Sequence, residues 1–368
     1  MKRYTIAVLL TLSLFVSGLP VANAETKTFP CGGAATYSVL MPDGVIEASS
    51  GSQQCTGILV IDSSVKRIGR YAFAGSRITS VNFPNSVTHI GERAFFGSNL
   101  DGPLVLGDSI VAIDKEAFAS SKISSVVIPN SVRTIGSSVF YSTPLASVTF
   151  GKSVTDIGEY AFSTTKLTSV TIPDSVINIG KYAFDGSPIE LLNLGSSVAT
   201  IGAWAFKTTN LSSVTFPKSV VDVGYQAFYL SKLERVVISS TSINISAYAL
   251  QPYFLRLPTI SLPDDAVNLK SFLNGLRDNL NLNSTTTIEY CGPATREQLG
   301  TPAKIICPPE RKVLIDAAKA VNELKAKQEA ETKAAVAIKK TTITCIKGNL
   351  TKKVTAVKPK CPAGYKQK

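Results

Sequence analysis

A fixed period of 22 residues constrains this chain more than any other feature. Matching strings begin at Ser131, Ser153, Ser175, Ser197 and Ser219, each 22 residues after the last. Earlier copies start at Ser64, Ser86 and Ser109, and the copy at Ser86 is one residue longer, around Asp101-Gly102-Pro103. A unit this short cannot bury its own apolar side chains, so neighbouring units must stack into a coil.

In the copy at Ser153 the apolar positions are Val154, Ile157, Ala161, Phe162, Leu167, Val170 and Ile172. Leu167 to Ile172 is rich in β-branched residues and is closed by Pro173, which cannot donate to a ladder, so it reads as a short strand. The Ala-Phe pair fits a helical turn that sends its ring into the core. Phe73, Phe95, Phe118, Phe140, Phe162, Phe184, Phe206 and Phe228 should then stack as a spine. Gly69, Gly91, Gly136, Gly158, Gly180, Gly202 and Gly224 share one column, which calls either for a positive φ or for a close approach that excludes a side chain. Asp114, the exception, tolerates left-handed geometry better than most residues and favours the positive φ. With strands about 4.8 Å apart, the eight copies make a coil roughly 40 Å long. The expected fold is an α/β repeat solenoid whose coils each hold a short strand and a helical turn.

The repeat Ser153-Val-Thr-Asp-Ile-Gly-Glu-Tyr-Ala-Phe-Ser-Thr-Thr-Lys-Leu-Thr-Ser-Val-Thr-Ile-Pro-Asp174 resembles the BspA-type leucine-rich repeat of bacterial surface proteins, and the resemblance runs from residue 59 to about 248. It implies a right-handed leucine-rich-repeat coil on the cell exterior, used for adhesion or protein binding. Fold likeness alone names no ligand. Many members carry a Cys after the Ala-Phe turn, whereas this chain has small pairs such as Gly75-Ser76, Gly97-Ser98 and Thr164-Thr165.

Around the repeats at 64–240 the sequence divides into a signal peptide at 1–24, an N-terminal cap at 25–63, a C-terminal cap at 241–309, a helical spacer at 310–340 and a basic module at 341–368. Lys2 and Arg3 precede an apolar run from Ile6 to Val16, and Ala22-Asn23-Ala24 offers a cleavage site before Glu25, so the chain is expected to be secreted or held at the cell surface. The caps close the open strand edges that a solenoid leaves at its ends. Val267, Leu269, Phe272, Leu273 and Leu276 recur at helical spacing in the second cap, and Val313, Leu314, Ala317, Val321 and Leu324 do so after Pro308-Pro309. Beyond Leu324 the polar string Lys-Ala-Lys-Gln-Glu-Ala-Glu reads as a solvated spacer.

All six cysteines lie outside the repeats. Local pairing would join Cys31 to Cys55, Cys291 to Cys307 and Cys345 to Cys361, each bond worth ~3 kcal/mol in the loop-entropy model. No C-x-x-C pair occurs, so no zinc site is expected.

The formal charge of +12 is uneven: residues 25–309 carry 21 basic and 21 acidic side chains, the last 59 carry 15 and 5. The segment from Thr341 to Lys368, with Cys345 and Cys361, resembles a C-terminal module of exported actinobacterial proteins. Its Lys347, Lys352, Lys353, Lys358 and Lys360 are candidates for holding a polyanion such as an anionic cell-wall polymer. Nucleic acid is not an expected partner, because an exported chain rarely meets it and no recognition motif is present. With no Leu-Pro-x-Thr-Gly motif and no apolar C-terminal tail, wall attachment would be non-covalent.

Catalysis finds little to work with. The single histidine, His89, sits in a column that also holds Arg67, Ala112, Thr134 and Asp156, as a free surface position would. A hydrolytic centre in 241–309 would have to rest on acids such as Asp264 or Glu289 without a histidine, and Asp264-Asp265 after Pro263 reads as a helix N-cap. We therefore expect no catalytic residue, no cofactor and no metal.

Binding is better provided for. Between the inward apolar positions of each strand, Ser147 and Thr149, Ser169 and Thr171, and Ser213 and Thr215 should line a nearly uncharged concave face. Such hydroxyls suit a glycan or an extended peptide, though they also suit any solvated β-surface. Tyr160, Tyr182 and Trp204 occupy one column, expected on the convex face; a row of aromatics fits sugar stacking, a protein hot spot or packing between turns. The sequence reads as a monomeric, exported surface protein that binds or adheres through its repeats, the alternative being a matrix component with no discrete ligand.

Overall fold

The Ile-Gly stretch of every copy forms a two-residue strand, as in Asp156–Ile157, Asn178–Ile179 and Thr200–Ile201, with Ile buried and the polar residue outward. The structure is a computed structural model that describes residues 26–41, 43–47, 52–240, 243–246, 248–250, 259–262, 287–289, 304–306, 323, 326–328, 341–347, 349–356, 363–364 and 366–367. Consecutive rungs pair in parallel, Thr134 with Asp156, Asp156 with Asn178, and so on, from Val45–Ile46 to Asn244–Ile245. These ten rungs make about nine turns, not eight copies. The outermost two escape the sequence pattern because Glu47 and Ser246 replace the column's Gly, and Leu250 replaces its Phe.

A second, wider ladder uses the Leu-to-Pro stretch of each copy. Lys122–Val127 pairs in parallel with Asp101–Val105 and Ser147–Thr149, Ser169–Thr171 with Leu191–Asn193, and Ser213–Phe216 with Arg235–Ile238. The register of Lys122–Val127 with Asp101–Val105 shifts between Ile123 and Ser125, as that of Thr56–Val60 with Arg77–Asn82 does between Gly57 and Ile58. The ladder continues past the last 22-residue copy through Thr259–Ser261, Thr287–Glu289 and Lys304–Ile306. At the other end the antiparallel hairpin of Thr26–Pro30 and Thr36–Leu40 lies over the first coil. Its Tyr37 is fully buried edge-on against Phe73, and a disulfide joins Cys31 to Cys55. Cys291, Cys307 and Cys361, the apolar stripes at 267–276 and 313–321, and residues 1–25 with the signal peptide lie outside the described residues.

The phenylalanine spine forms. From Phe73 to Phe228 the eight rings are wholly buried and stack at centroid distances of 5.2–5.8 Å. Three residues after each Phe stands a small buried hydroxyl, the column Ser76, Ser98, Ser121, Thr143, Thr165, Ser187, Thr209 and Ser231. Ser121, Thr143 and Thr209 each donate back to the carbonyl of their own Phe, at 2.7–2.9 Å.

Two expectations are corrected. The Ala-Phe segment is not helical. Within it alternate N–H groups leave the turn: those of Tyr160, Phe162 and Thr164 donate to the carbonyls of Lys181, Ala183 and Asp185 on the next coil, at 2.7–3.0 Å. Two left-handed residues per coil, such as Tyr160 and Thr164 (φ 55 and 57), rotate those groups outward, so the helical ladder of internal bonds cannot form. The glycine column, in turn, does not have positive φ, and neither does Asp114. A Cβ on Gly180 would sit 2.7–2.8 Å from the backbone of Ile157, Gly158 and Glu159. Close approach of adjacent coils, not backbone handedness, requires the glycine.

Candidate functional site

The outward side chains of the wide ladder form two columns in register. Ser125 faces Ser147 and Val127 faces Thr149; Ser169 faces Leu191 and Thr171 faces Asn193. Ser147, Ser213 and Thr215 are exposed, and Thr149, Ser169 and Thr171 are half-buried, their strands held by inward Val148, Val170 and Val214. Pairing along this ladder is interrupted between Arg77–Asn82 and Asp101–Val105, between Ser147–Thr149 and Ser169–Thr171, and between Leu191–Asn193 and Ser213–Phe216; the Thr171 hydroxyl, at the second of these breaks, is buried without a hydrogen-bond partner.

The columns begin earlier than the sequence suggested. Thr56–Val60 pairs with Arg77–Asn82 and presents Ile58 and Val60 on the same face, 71% and 62% exposed. Sequence reading passed over them because their copy lacks the Ala-Phe marker; alternation about the buried Leu59 was the available signal. At the far end Arg235 grips Glu289 with both guanidinium N–H groups, at 2.7 and 3.0 Å, and Ser261 Oγ also donates to that carboxylate. This makes Glu289 a brace between coils. Asp264 lies outside the described residues.

The aromatic column is built by the left-handed residue two places after each Gly. Tyr71, Arg93, Glu116, Ser138, Tyr160, Tyr182, Trp204, Gln226 and Tyr248 all have φ between 52 and 57. Their shared geometry throws nine side chains out in file. Tyr160 stacks on Tyr182 at 4.6 Å and Tyr182 on Trp204 at 4.8 Å, nearly parallel. Tyr141 closes one end edge-on at 6.4 Å and Tyr225 the other at 5.3 Å. Trp204 Nε1 donates to Gln226 at 2.8 Å, and burial pushes the Tyr160 phenol up. The faces between Tyr160, Tyr182 and Trp204 are spent on one another, which leaves rims and hydroxyls along most of the file.

Further toward the N-terminus the same column carries charge. Arg93 donates to Glu116 at 2.6 Å and to the Tyr71 hydroxyl at 2.6 Å. The hydrogen bond from Arg93 holds the Glu116 carboxyl below its usual range, burial opposing. A carboxyl with a depressed folded pKa stabilises above its unfolded value of about 4.3, and that contribution fades as pH falls through the folded value. Glu116→Gln should therefore lower stability at pH 7, with the gap to the parent protein closing below about pH 4, as thermal unfolding across pH would record.

His89 is a half-buried rung residue whose Nδ1 lies 2.8 Å from the Thr88 hydroxyl. At the C-terminus Thr341–Lys347, Leu350–Ala356 and Lys366–Gln367 form an antiparallel sheet on which Lys347, Lys352 and Lys353 are exposed. Register sets Lys353 beside Thr344 and Lys352 beside Cys345, so the two lysines point to opposite faces. Lys358 and Lys360 lie outside the described residues. No cluster able to hold a metal ion occurs among the described residues.

The sequence matches the family described as BspA type leucine rich repeat region, in six copies, over residues 51–166 and 155–275. No curated protein matches it. Among solved structures it is similar to a leucine-rich repeat protein from Bacteroides ovatus ATCC 8483, with a TM-score of 0.52 and 20% identity over 77% of this chain and 81% of that one. A leucine rich cell surface protein from Faecalibacterium prausnitzii A2-165 shows 21% identity over 75% of this chain and 97% of that one, with a TM-score of 0.37. Leucine-rich repeats of this family are non-enzymatic, and this chain is not an enzyme. Its matched segments cover well over half of the sequence, and the chain belongs to the BspA-type leucine-rich repeat family.

Proposed function

We propose that this protein is exported and acts at the bacterial surface as a binding or adhesion protein, its ligand an extracellular glycan or protein. The observation that carries this reading is the hydroxyl file Ser147, Thr149, Ser169, Thr171, Ser213 and Thr215, set on three coils with Leu191 and Asn193 on the coil between the last two pairs. An extended ligand with repeating polar groups gains many weak hydrogen bonds from such a file, and little specificity from any one of them. The aromatic file ranks second, because its ring faces are already stacked. Retention at the envelope is assigned to the lysine-rich sheet, whose Lys347, Lys352 and Lys353 favour an anionic wall polymer.

A glycan array and an extracellular-protein panel on the full chain test the first part. The expected result is a ligand whose binding falls at least about tenfold, or ~1.4 kcal/mol, in Ser169→Lys/Thr215→Lys with thermal unfolding unchanged. Blank results on both would favour a matrix role. Lys347→Glu/Lys352→Glu/Lys353→Glu should release the protein from isolated walls, and undiminished retention would remove the anchoring role.

A further inference from the structure

A cleft of about 460 Å³ lies where strands of the wide ladder run into the turns that follow them. That volume falls within the roughly 300–1,000 Å³ of small-molecule sites. Thr149, Phe150 and Lys152 line it from one coil, Thr171 and Asp174 from the next, and Asn193 from the third. Gln328 lines it as well, but every group that would hold a ligand stands on the coils.

Polar capacity in this wall is left unspent. Asn193 is only 9% exposed, and its carboxamide makes no hydrogen bond among the described residues. On the paired strand beside it, the Thr171 hydroxyl is buried and equally without a partner. The asparagines of the narrow ladder are satisfied, by contrast: Asn178 bonds to Asp156 and to Thr200, and Asn244 to Asp222, each at 2.7 Å. A buried amide that neither donates nor accepts is costly, and folded proteins keep few of them. The floor of the cleft is apolar. Phe150, edge-on against Phe162, is half-buried, whereas Phe83 and Phe216 at the same place in their coils are fully covered. An ordered water would answer Asn193 alone; it explains neither the volume nor the open ring.

We propose that this cleft is a saccharide subsite that takes one neutral sugar ring of a glycan. A carboxamide donates and accepts at once, which matches two neighbouring hydroxyls of a sugar. The C–H face of the ring then covers Phe150, removing apolar surface from water. Lys152 and Asp174, both exposed, put one charge of each sign at the site, which favours a neutral sugar over an acidic one. The assignment rests on the reading of the repeats as a glycan-binding face, and it adds a position that fixes one ring where the hydroxyl file alone would let the chain slide.

Titrating the full-length protein with glucose, galactose, mannose and N-acetylglucosamine, followed by amide chemical shifts, tests it. At least one sugar should move the amides of 149–152, 171–172 and 193 together and saturably, leaving 213–216 still. No saturable shift with any of the four, or one centred elsewhere, overturns the subsite. Asn193→Leu nearly keeps the volume and removes the amide. It should weaken that sugar about tenfold without lowering the unfolding midpoint, because an unpartnered amide contributes nothing to stability. Unchanged affinity overturns the proposal, as does a lowered midpoint with binding intact, which would assign the amide to the fold. If no sugar binds while Ser169→Lys/Thr215→Lys still weakens an array ligand, the cleft falls and the binding face stands; a blank array removes the face itself.

Discussion

Substituting Val for Gly180 is expected to unfold the coils on either side of it. Any Cβ at this position meets the carbonyl oxygen of Ile157, the carbonyl carbon of Gly158 and the nitrogen of Glu159 within 2.8 Å, and these are backbone atoms that cannot swing aside. Nor can Gly180 retreat, because its N–H donates to the Ile157 carbonyl at 2.8 Å and its neighbour Ile179 is paired with Ile157 and Ile201. Relief requires prying two rungs apart, a cost we place above about 4 kcal/mol, at the extreme of single substitutions. Denaturant unfolding of the full chain, read by hydrogen exchange at 156–157 and 178–179, checks it. Gly180→Asn separates the two explanations of the column: a positive-φ site would accept Asn at little cost, whereas close approach predicts a loss nearly as large as for Val.

Phe184→Ala should cost about 3–5 kcal/mol. The ring is wholly buried between Phe162 at 5.3 Å and Phe206 at 5.2 Å, and the coils are too closely spaced to collapse onto the void. Because each coil touches only its neighbours, the loss should show first as local opening around residues 162–206 and only then as a lower midpoint for the whole chain. Phe184→Ala/Phe206→Ala should cost less than the two single losses together, since the rings share one contact. Additive losses would mean that the spine is a row of independent plugs.

What could be read in advance followed the period. The spine, the short strands and the repeat family depend on which residue type recurs at which offset, and recurrence is visible without coordinates. The helical turn was misjudged because Tyr-Ala-Phe has no local property that distinguishes a helix from a turn with a left-handed residue such as Tyr160; hydrogen bonds to the next coil decide it. The edge strand Thr56–Val60 and the rung Asn244–Ile245 were missed because terminal coils lose the Gly and Phe that announce the others. The aromatic file was legible as a column, but its face-to-face stacking was not, since that follows from the spacing of coils and the shared φ.

By itself, then, the sequence determined the period, the inward apolar columns and the neutrality of the coil against its basic tail, because these are properties of composition and spacing. Only the tertiary structure decided that the glycines answer to close approach, that Tyr160, Tyr182 and Trp204 stack on each other, and that the wide ladder is interrupted where the narrow one runs on. Each of those depends on which atoms of one coil meet the next, a distance no single repeat contains.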